Sequence, residues 1–277
     1  MSFRLIDLHG RAVWLFEQGT GIPLVYLHGL ADLHGASSEP LEFHQQLSKD
    51  FSLVAPAHPG CSETEENENI DTIEDVVFHY LELFDELGLE KINLVGSDLG
   101  GWIAAEIAVR HPDKLLSLSV IGAAGLFIPG DPIADLFWEA HPVDGTSLAT
   151  LRTLLFGNSE NGVARELFPD GRGKIEQELL RYKTYRLLSR VGFNPPYLHH
   201  RLLKNRLYRY RGPALVVHGS LDSLVPKSHA EAYESCLGNA RLEMMDGCGH
   251  SPHLEKPTQT ANLLVEFIKK STENRVS

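Results

Sequence analysis

Cysteine is scarce in this chain. The three present in 277 residues, Cys61, Cys236 and Cys248, are odd in number and lack metal-ligand spacing. That excludes a disulfide framework and a zinc module, and no metal is expected. No run approaches the roughly 18 consecutive apolar residues of a membrane span. The opening Met1-Ser-Phe-Arg-Leu lacks the apolar core of a secretory signal. A reduced, cytoplasmic setting is the expectation. Positive charge is short as well: 25 Lys and Arg against 37 Asp and Glu leave a net charge of −12. Such a balance argues against nucleic-acid or anionic-membrane partners. Internal repeats and low-complexity linkers are also missing.

What is present is ordinary globular material, 43% hydrophobic, long enough for one large α/β domain or a core with an insertion. Charge is unevenly spread. Glu63 to Glu90 holds many acids and no Lys or Arg, whereas Arg172 to Arg211 holds eleven Lys or Arg and two acids, Glu176 and Glu178. A basic run is ordinarily a solvated helix face; the alternative here is a basic segment packed over acidic core surface.

Hydrophobic periodicity alternates between strands and helices. An N-terminal hairpin is expected from Phe3 to Leu8 and Ala12 to Phe16, and strands at Pro23 to Leu27, Phe51 to Ala55, Ile92 to Val95 and Leu115 to Ile121. Between them fall helices near Leu41 to Leu47, from Asp71 to Leu87 with Asp71 or Thr72 as cap, and up to Arg110. Alternation of this kind gives right-handed crossovers and a mostly parallel sheet flanked by helices. The pattern breaks near Leu126 and returns at Ala214 to His218. Residues 1–125 and 211–277 therefore read as the core and 126–210 as an inserted helical lid, with a turn at Pro195-Pro196 and a return hinge at Gly212-Pro213. Core elements resume with a helix at Lys227 to Leu237, a strand at Arg241 to Met245 and a helix at Pro257 to Lys270.

Three loops at the carboxyl ends of core strands offer reactive side chains, where open α/β sheets place their sites. The first follows the strand ending at Val95: Gly96-Ser-Asp-Leu-Gly100, a glycine-pinched turn before a helix. In G-x-S-x-G form this is the nucleophile elbow, but its apex holds Asp98. Ser97 is out of frame, since Val95 and Leu99 would then have to be glycines. The second loop carries Asp222 and the third carries His250, in Gly247-Cys-Gly-His-Ser-Pro252. The order nucleophile, acid, histidine is that of the α/β-hydrolases.

The chain thus resembles the α/β-hydrolase superfamily over nearly its full core. His28-Gly29 resembles the family's oxyanion loop, and Pro59-Gly60 with Ser62 the loop after its fourth strand. The resemblance implies backbone N–H groups of Leu30 and Leu99 as the oxyanion hole, with no cofactor. Substrate contacts are expected from His28 and from Trp138, Tyr182 and Tyr185. His28 and His58 also suit a role in holding loops, and Trp102 and Cys248 suit the core.

A carboxylate with an ordinary pKa of about 3.9 is already ionised at neutral pH. Attacking an ester, it would form an anhydride while expelling an alkoxide, and the adduct would collapse back. Attack on a saturated carbon bearing an epoxide oxygen or halide gives a stable alkyl ester, which His250-activated water can hydrolyse. That scheme resembles the epoxide-hydrolase and haloalkane-dehalogenase branches. Two positions depart from them: Leu99 where a tryptophan is usual, and Ala31 where the epoxide hydrolases usually carry proline. The surrounding Gly-Gly-Trp-Ile-Ala-Ala-Glu is closer to serine-bearing esterases and C–C-bond hydrolases. Epoxide-type hydrolysis of a small apolar substrate leads. Its alternatives are an esterase, lactonase or C–C hydrolase relative with Asp98 as base or water-positioning group, and a non-catalytic binding protein that keeps the pocket. The proton donors expected of the lid are among Tyr182, Tyr185, Tyr197, Tyr208 and Tyr210. The sequence leaves the oligomeric state open.

Overall fold

A computed structural model describes residues 2–32, 39–140, 148–171, 173–193 and 197–276. An eight-stranded sheet in the order β1-β2-β4-β3-β5-β6-β7-β8 forms the centre. The hairpin strands β1 (Ser2–Leu8) and β2 (Arg11–Gln18) are antiparallel to each other, and β2 is antiparallel to β4 (Ser52–Pro56). The rest, β3 (Pro23–Leu27), β5 (Ile92–Ser97), β6 (Leu115–Ile121), β7 (Ala214–Gly219) and β8 (Ala240–Met245), run parallel. Every residue of β5 and β7 is buried, as strands covered on both faces require.

The helices of the core are α1 (Glu42–Leu47), α2 (Ile73–Glu86) and α3 (Asp98–Arg110). In α2 the cap is Thr72, which accepts the Asp75 N–H at 3.2 Å while the Asp75 carboxylate accepts the Thr72 N–H at 2.8 Å. This reciprocal box satisfies two helix-end donors. Helix α3 is buried nearly all round, which suits its small residues and sets it tightly against β5.

Between β6 and β7 come α4 (Leu136–Glu139), α5 (Ala149–Leu155), α6 (Gly162–Leu167), α7 (Ile175–Gly192) and a 3-10 turn (Lys204–Arg209). Among the described residues this insertion adds no strand to the sheet; Gly125 and His199 form an isolated bridge. The expected turn at Pro195-Pro196 lies outside the described residues. The chain ends with α8 (Lys227–Cys236), α9 (Pro252–Glu255) and α10 (Pro257–Val276). Helix α10 runs past Lys270, the end its apolar spacing predicted.

The basic run is not a purely solvated face. Arg190 of α7 pairs with Glu66 at 3.2 Å and Asp71 at 3.7 Å, Arg186 pairs with Glu66, and Lys183 donates to the Ser62 carbonyl at 2.5 Å. Helix α7 therefore lies over the acidic loop before α2, the less ordinary of the two expectations. At its other end the insertion meets the core at Glu255, whose carboxylate accepts N–H groups from Gly157 at 3.0 Å and Gly249 at 2.7 Å.

Candidate active site

Asp98 sits at the apex between β5 and α3 with φ of +50°, left-handed backbone for a residue that is not glycine. Such a conformation costs about 1–3 kcal/mol and persists only when its surroundings enforce it. The glycines enforce it by close approach. A Cβ on Gly96 would lie 2.2 Å from the Gly100 carbonyl oxygen, and one on Gly100 would lie 2.0 Å from that of Leu27. The tight turn lifts the Asp98 side chain out at the carboxyl end of β5, beside the loop after β3.

The carboxylate is divided between two partners. Its Oδ2 accepts the Leu30 N–H at 3.2 Å, and its Oδ1 lies 3.6 Å from His250 Nε2. The other nitrogen of that ring, Nδ1, is 2.9 Å from Asp222 Oδ2. Asp222 is fixed in turn by N–H groups of Leu224 and Val225, both at 2.9 Å from Oδ1. The structure thus brings Asp98, His250 and Asp222 together, with the imidazole between two carboxylates. The N–H of Leu99 lies in the first turn of α3, where helix donors have no partner within the helix.

Electrostatics follow from this arrangement. Burial opposes charge on His250, but the hydrogen bonds and negative charges of Asp222 and Asp98 outweigh it and push the ring up to about 10. Burial likewise opposes charge on Asp222, yet the charge and hydrogen bond of His250 hold its carboxyl below the usual range. The arrangement thus favours the protonated ring between Asp98 and Asp222.

The other expected substrate contacts divide. Tyr185 lies on α7, half-buried, with Phe137 at 6.1 Å between ring centres. Its hydroxyl is buried without a hydrogen-bond partner among the described residues, and burial together with the Asp98 charge pushes its ionisation well up. Trp138 is 75% exposed and Tyr182 62% exposed, the latter on an outward stripe of α7 with Ile175 and Leu179. The structure does not bring those two to Asp98. Nor does it bring His28, whose ring is spent on the loop: Nδ1 meets the Gly29 carbonyl at 2.8 Å and Nε2 accepts the His58 N–H at 3.0 Å. Of the remaining tyrosines, Tyr197 uses its hydroxyl on Leu136 N–H and the Ala134 carbonyl, both at 3.0 Å. Tyr210 donates to the Pro213 carbonyl at 3.1 Å, and Tyr208 is exposed.

Leu155 of the insertion joins Leu30, Asp98 and His250 in lining a narrow cavity of about 10 Å³, room for about one water. Its walls also include Asp32, Ser97 and His253, which no motif spacing pointed to. Among the described residues no group of three or more His, Cys, Asp or Glu is placed to hold a metal, and no helix is long and apolar enough to cross a membrane.

Fold and site define an α/β-hydrolase. Residues 22–257 match the α/β hydrolase fold family, and the chain belongs to it. It is 26% identical over 276 residues to a 2-hydroxymuconate semialdehyde hydrolase of a Pseudomonas species, covering 95% of this chain and 92% of that protein. A monoacylglycerol lipase of Bos taurus is 25% identical over 260 residues, covering 87% of this chain and 76% of the lipase. Among solved structures, a meta-cleavage product hydrolase from Pseudomonas fluorescens superposes with a TM-score of 0.78 at 20% identity, covering 97% of this chain and 98% of that one. These relatives are named for C–C-bond hydrolysis and lipid hydrolysis, not for epoxide hydrolysis.

Proposed function

We propose that this hydrolase opens a small, apolar epoxide, and with it the related haloalkanes, through an ester on Asp98. The observation that carries this is the divided carboxylate, with one oxygen in a backbone N–H and the other free of backbone donors and facing His250. Oδ1 attacks the less hindered epoxide carbon. The C–O bond breaks, and the departing oxygen takes a proton from Tyr185, the buried hydroxyl without another partner. Esterification removes the negative charge of Asp98. His250 then keeps only one carboxylate neighbour and gives up its proton more readily; passed through solvent to the Tyr185 phenolate, that proton restores the hydroxyl and leaves a neutral imidazole as the base of the second step. Water loses a proton to Nε2 as it attacks the ester carbonyl, while Oδ2 draws charge towards the Leu30 and Leu99 N–H groups. Collapse expels the diol and restores the carboxylate.

The cavity is small, so the helical insertion acts as a lid that moves to admit substrate. A second reading is favoured by the names of the relatives: an ester or C–C substrate, with Asp98 holding the hydrolytic water. One experiment separates the two. His250→Gln incubated with styrene oxide should accumulate the epoxide's mass on the peptide containing Asp98, and Asp98→Asn should carry none. An unlabelled His250→Gln across epoxides and haloalkanes, with ester turnover in the unmodified enzyme, selects the second reading.

A further inference from the structure

Beneath the elbow lies a buried polar cluster that the proton transfers above leave unused. Asp32, 1% exposed, follows Gly29 by three residues. Its Oδ1 accepts the Gly29 N–H at 2.6 Å, and its Oδ2 accepts the Ser97 hydroxyl at 2.7 Å together with that of Tyr26. His253 Nε2 faces the same Oδ2 at 3.2 Å. One carboxylate thus touches the loop after β3, the residue before Asp98, and the helix that follows His250.

Two further facts tie Asp32 to the oxyanion hole. The peptide between Gly29 and Leu30 carries the N–H that meets Asp98 Oδ2. His28 Nδ1 holds that peptide's oxygen at 2.8 Å, and Asp32 holds the N–H on the other side of Gly29. A Cβ on Gly29 would lie 2.7 Å from the Asp98 Cβ, so the loop has little room in which to readjust. Burial opposes the Asp32 charge, but His253 foremost, then His28 and Tyr26, hold its carboxyl far below the usual range.

We propose that Asp32 is a positioning residue: with His253 packed against it, it aims the Leu30 N–H at Asp98, so that the enzyme carries a second Asp–His pair for geometry beside the one for proton transfer. The kinetic part of this rests on the ester intermediate; the structural part does not. Losing an oxyanion donor outright costs about 10²–10³ in kcat, and Asp32→Asn, which misplaces the donor, should lower kcat by about 10-fold to 10² and KM with it, leaving kcat/KM nearly unchanged. Because the second step leans hardest on the donor, Asp32→Asn should accumulate label on Asp98 during styrene oxide turnover with His250 intact. Adding His253→Gln should cost nothing more, since the two act as a unit. Independently, the amide proton resonances of Gly29 and Leu30 should move in Asp32→Asn while the rest of the spectrum stays folded. Should Asp32→Asn not fold, Ser97→Ala, which removes one of the hydrogen bonds to Asp32 and the Tyr26 contact at 2.9 Å, should move the same resonances less and lower kcat by a smaller factor. Unmoved Gly29 and Leu30 amides, or an unchanged kcat in a folded variant, would overturn the proposal. If even His250→Gln is never labelled, the ester reading fails and the amide shifts alone decide the role of Asp32.

Discussion

Nε2 of His250 lies 3.6 Å from Asp98 Oδ1 while its Nδ1 lies 2.9 Å from Asp222 Oδ2, one ring between two carboxylates. A serine at the elbow would leave the ring one carboxylate, and a neutral imidazole would be the natural resting form. With Asp98 a second carboxylate favours the protonated ring. On the proposed ester route the nucleophile needs no base, and the base is released once Asp98 is esterified.

Stability should therefore fall on the alkaline side. The unfolded chain loses its histidine proton near about 6.5, whereas the folded site holds it up to about 10. The contribution is full below the lower value, declines as pH rises between the two, and is gone above the upper one. Asp222 works in the opposite sense: its carboxyl is held below the usual range, so its contribution is lost on acidification. Urea unfolding across pH should show the alkaline decline, and Asp98→Asn should flatten it. Titration of the His250 ring by NMR should give a lower midpoint in Asp98→Asn; an unchanged midpoint would mean that Asp98 does not hold the proton.

Glycines at the elbow should be intolerant and others not. Gly100→Ala puts a Cβ 2.0 Å from the Leu27 carbonyl oxygen, where neither backbone can yield. A loss exceeding about 4 kcal/mol, or failure to fold, is expected. Gly162 is the first residue of α6, with nothing within 4 Å of its would-be Cβ and no left-handed backbone. Gly162→Ala should stabilise by about 0.4–1 kcal/mol. Urea midpoints for the pair check both.

Much of this was legible in the chain. Strands Pro23–Leu27 and Leu115–Ile121 are observed at their predicted limits, because a parallel strand buried on both faces is a mostly apolar run, interrupted in the second only by the small Ser117 and Ser119. The three reactive loops were legible for the same reason: strand ends followed by glycine-rich turns. What was not legible depends on rotation and long-range packing. Tyr182 and Tyr185 are three residues apart on α7, and only the seating of that helix decides which hydroxyl is buried. The pairing of Arg186 and Arg190 with Glu66 spans more than a hundred residues. Asp32 and His253 carry no motif at all, and meet only because the loop after β3 and α9 pack side by side.

The pairs at Glu66 also bear on access. On the proposed reading the insertion moves to admit substrate, and α7 is a part of it that is paired to the core at Glu66. Glu66 accepts both Arg186 and Arg190 at a partly exposed surface, where such pairs contribute about 0.2–1 kcal/mol and weaken in salt. Glu66→Gln should raise kcat/KM up to about 5-fold at low salt, which is that energy expressed as a rate. Added NaCl should speed the unmodified enzyme towards the same value and leave Glu66→Gln nearly unaffected. Equal salt responses in the two proteins would show that these pairs do not hold the lid.

The leaving group offers the sharpest separation of roles. An epoxide oxygen departs as an alkoxide and needs a proton; a halide departs as a stable anion and needs none. Tyr185 is the buried hydroxyl with no other partner among the described residues and with Asp98's charge acting on it, whereas Tyr197 already donates to Ala134 and accepts from Leu136. In a His250→Gln background, which stops the reaction at the ester, Tyr185→Phe should slow labelling of Asp98 by styrene oxide by about 10²–10⁴, the usual worth of a general acid. Labelling by an alkyl bromide should proceed at its former rate. Tyr197→Phe should lower stability, through the lost bond to Ala134, and leave the ratio of epoxide to bromide labelling unchanged. If Tyr185→Phe slows both electrophiles alike, the hydroxyl shapes the pocket and does not deliver the proton. The imidazolium of His250 would then be the remaining acid, and the unmodified enzyme should label faster with epoxide than His250→Gln does.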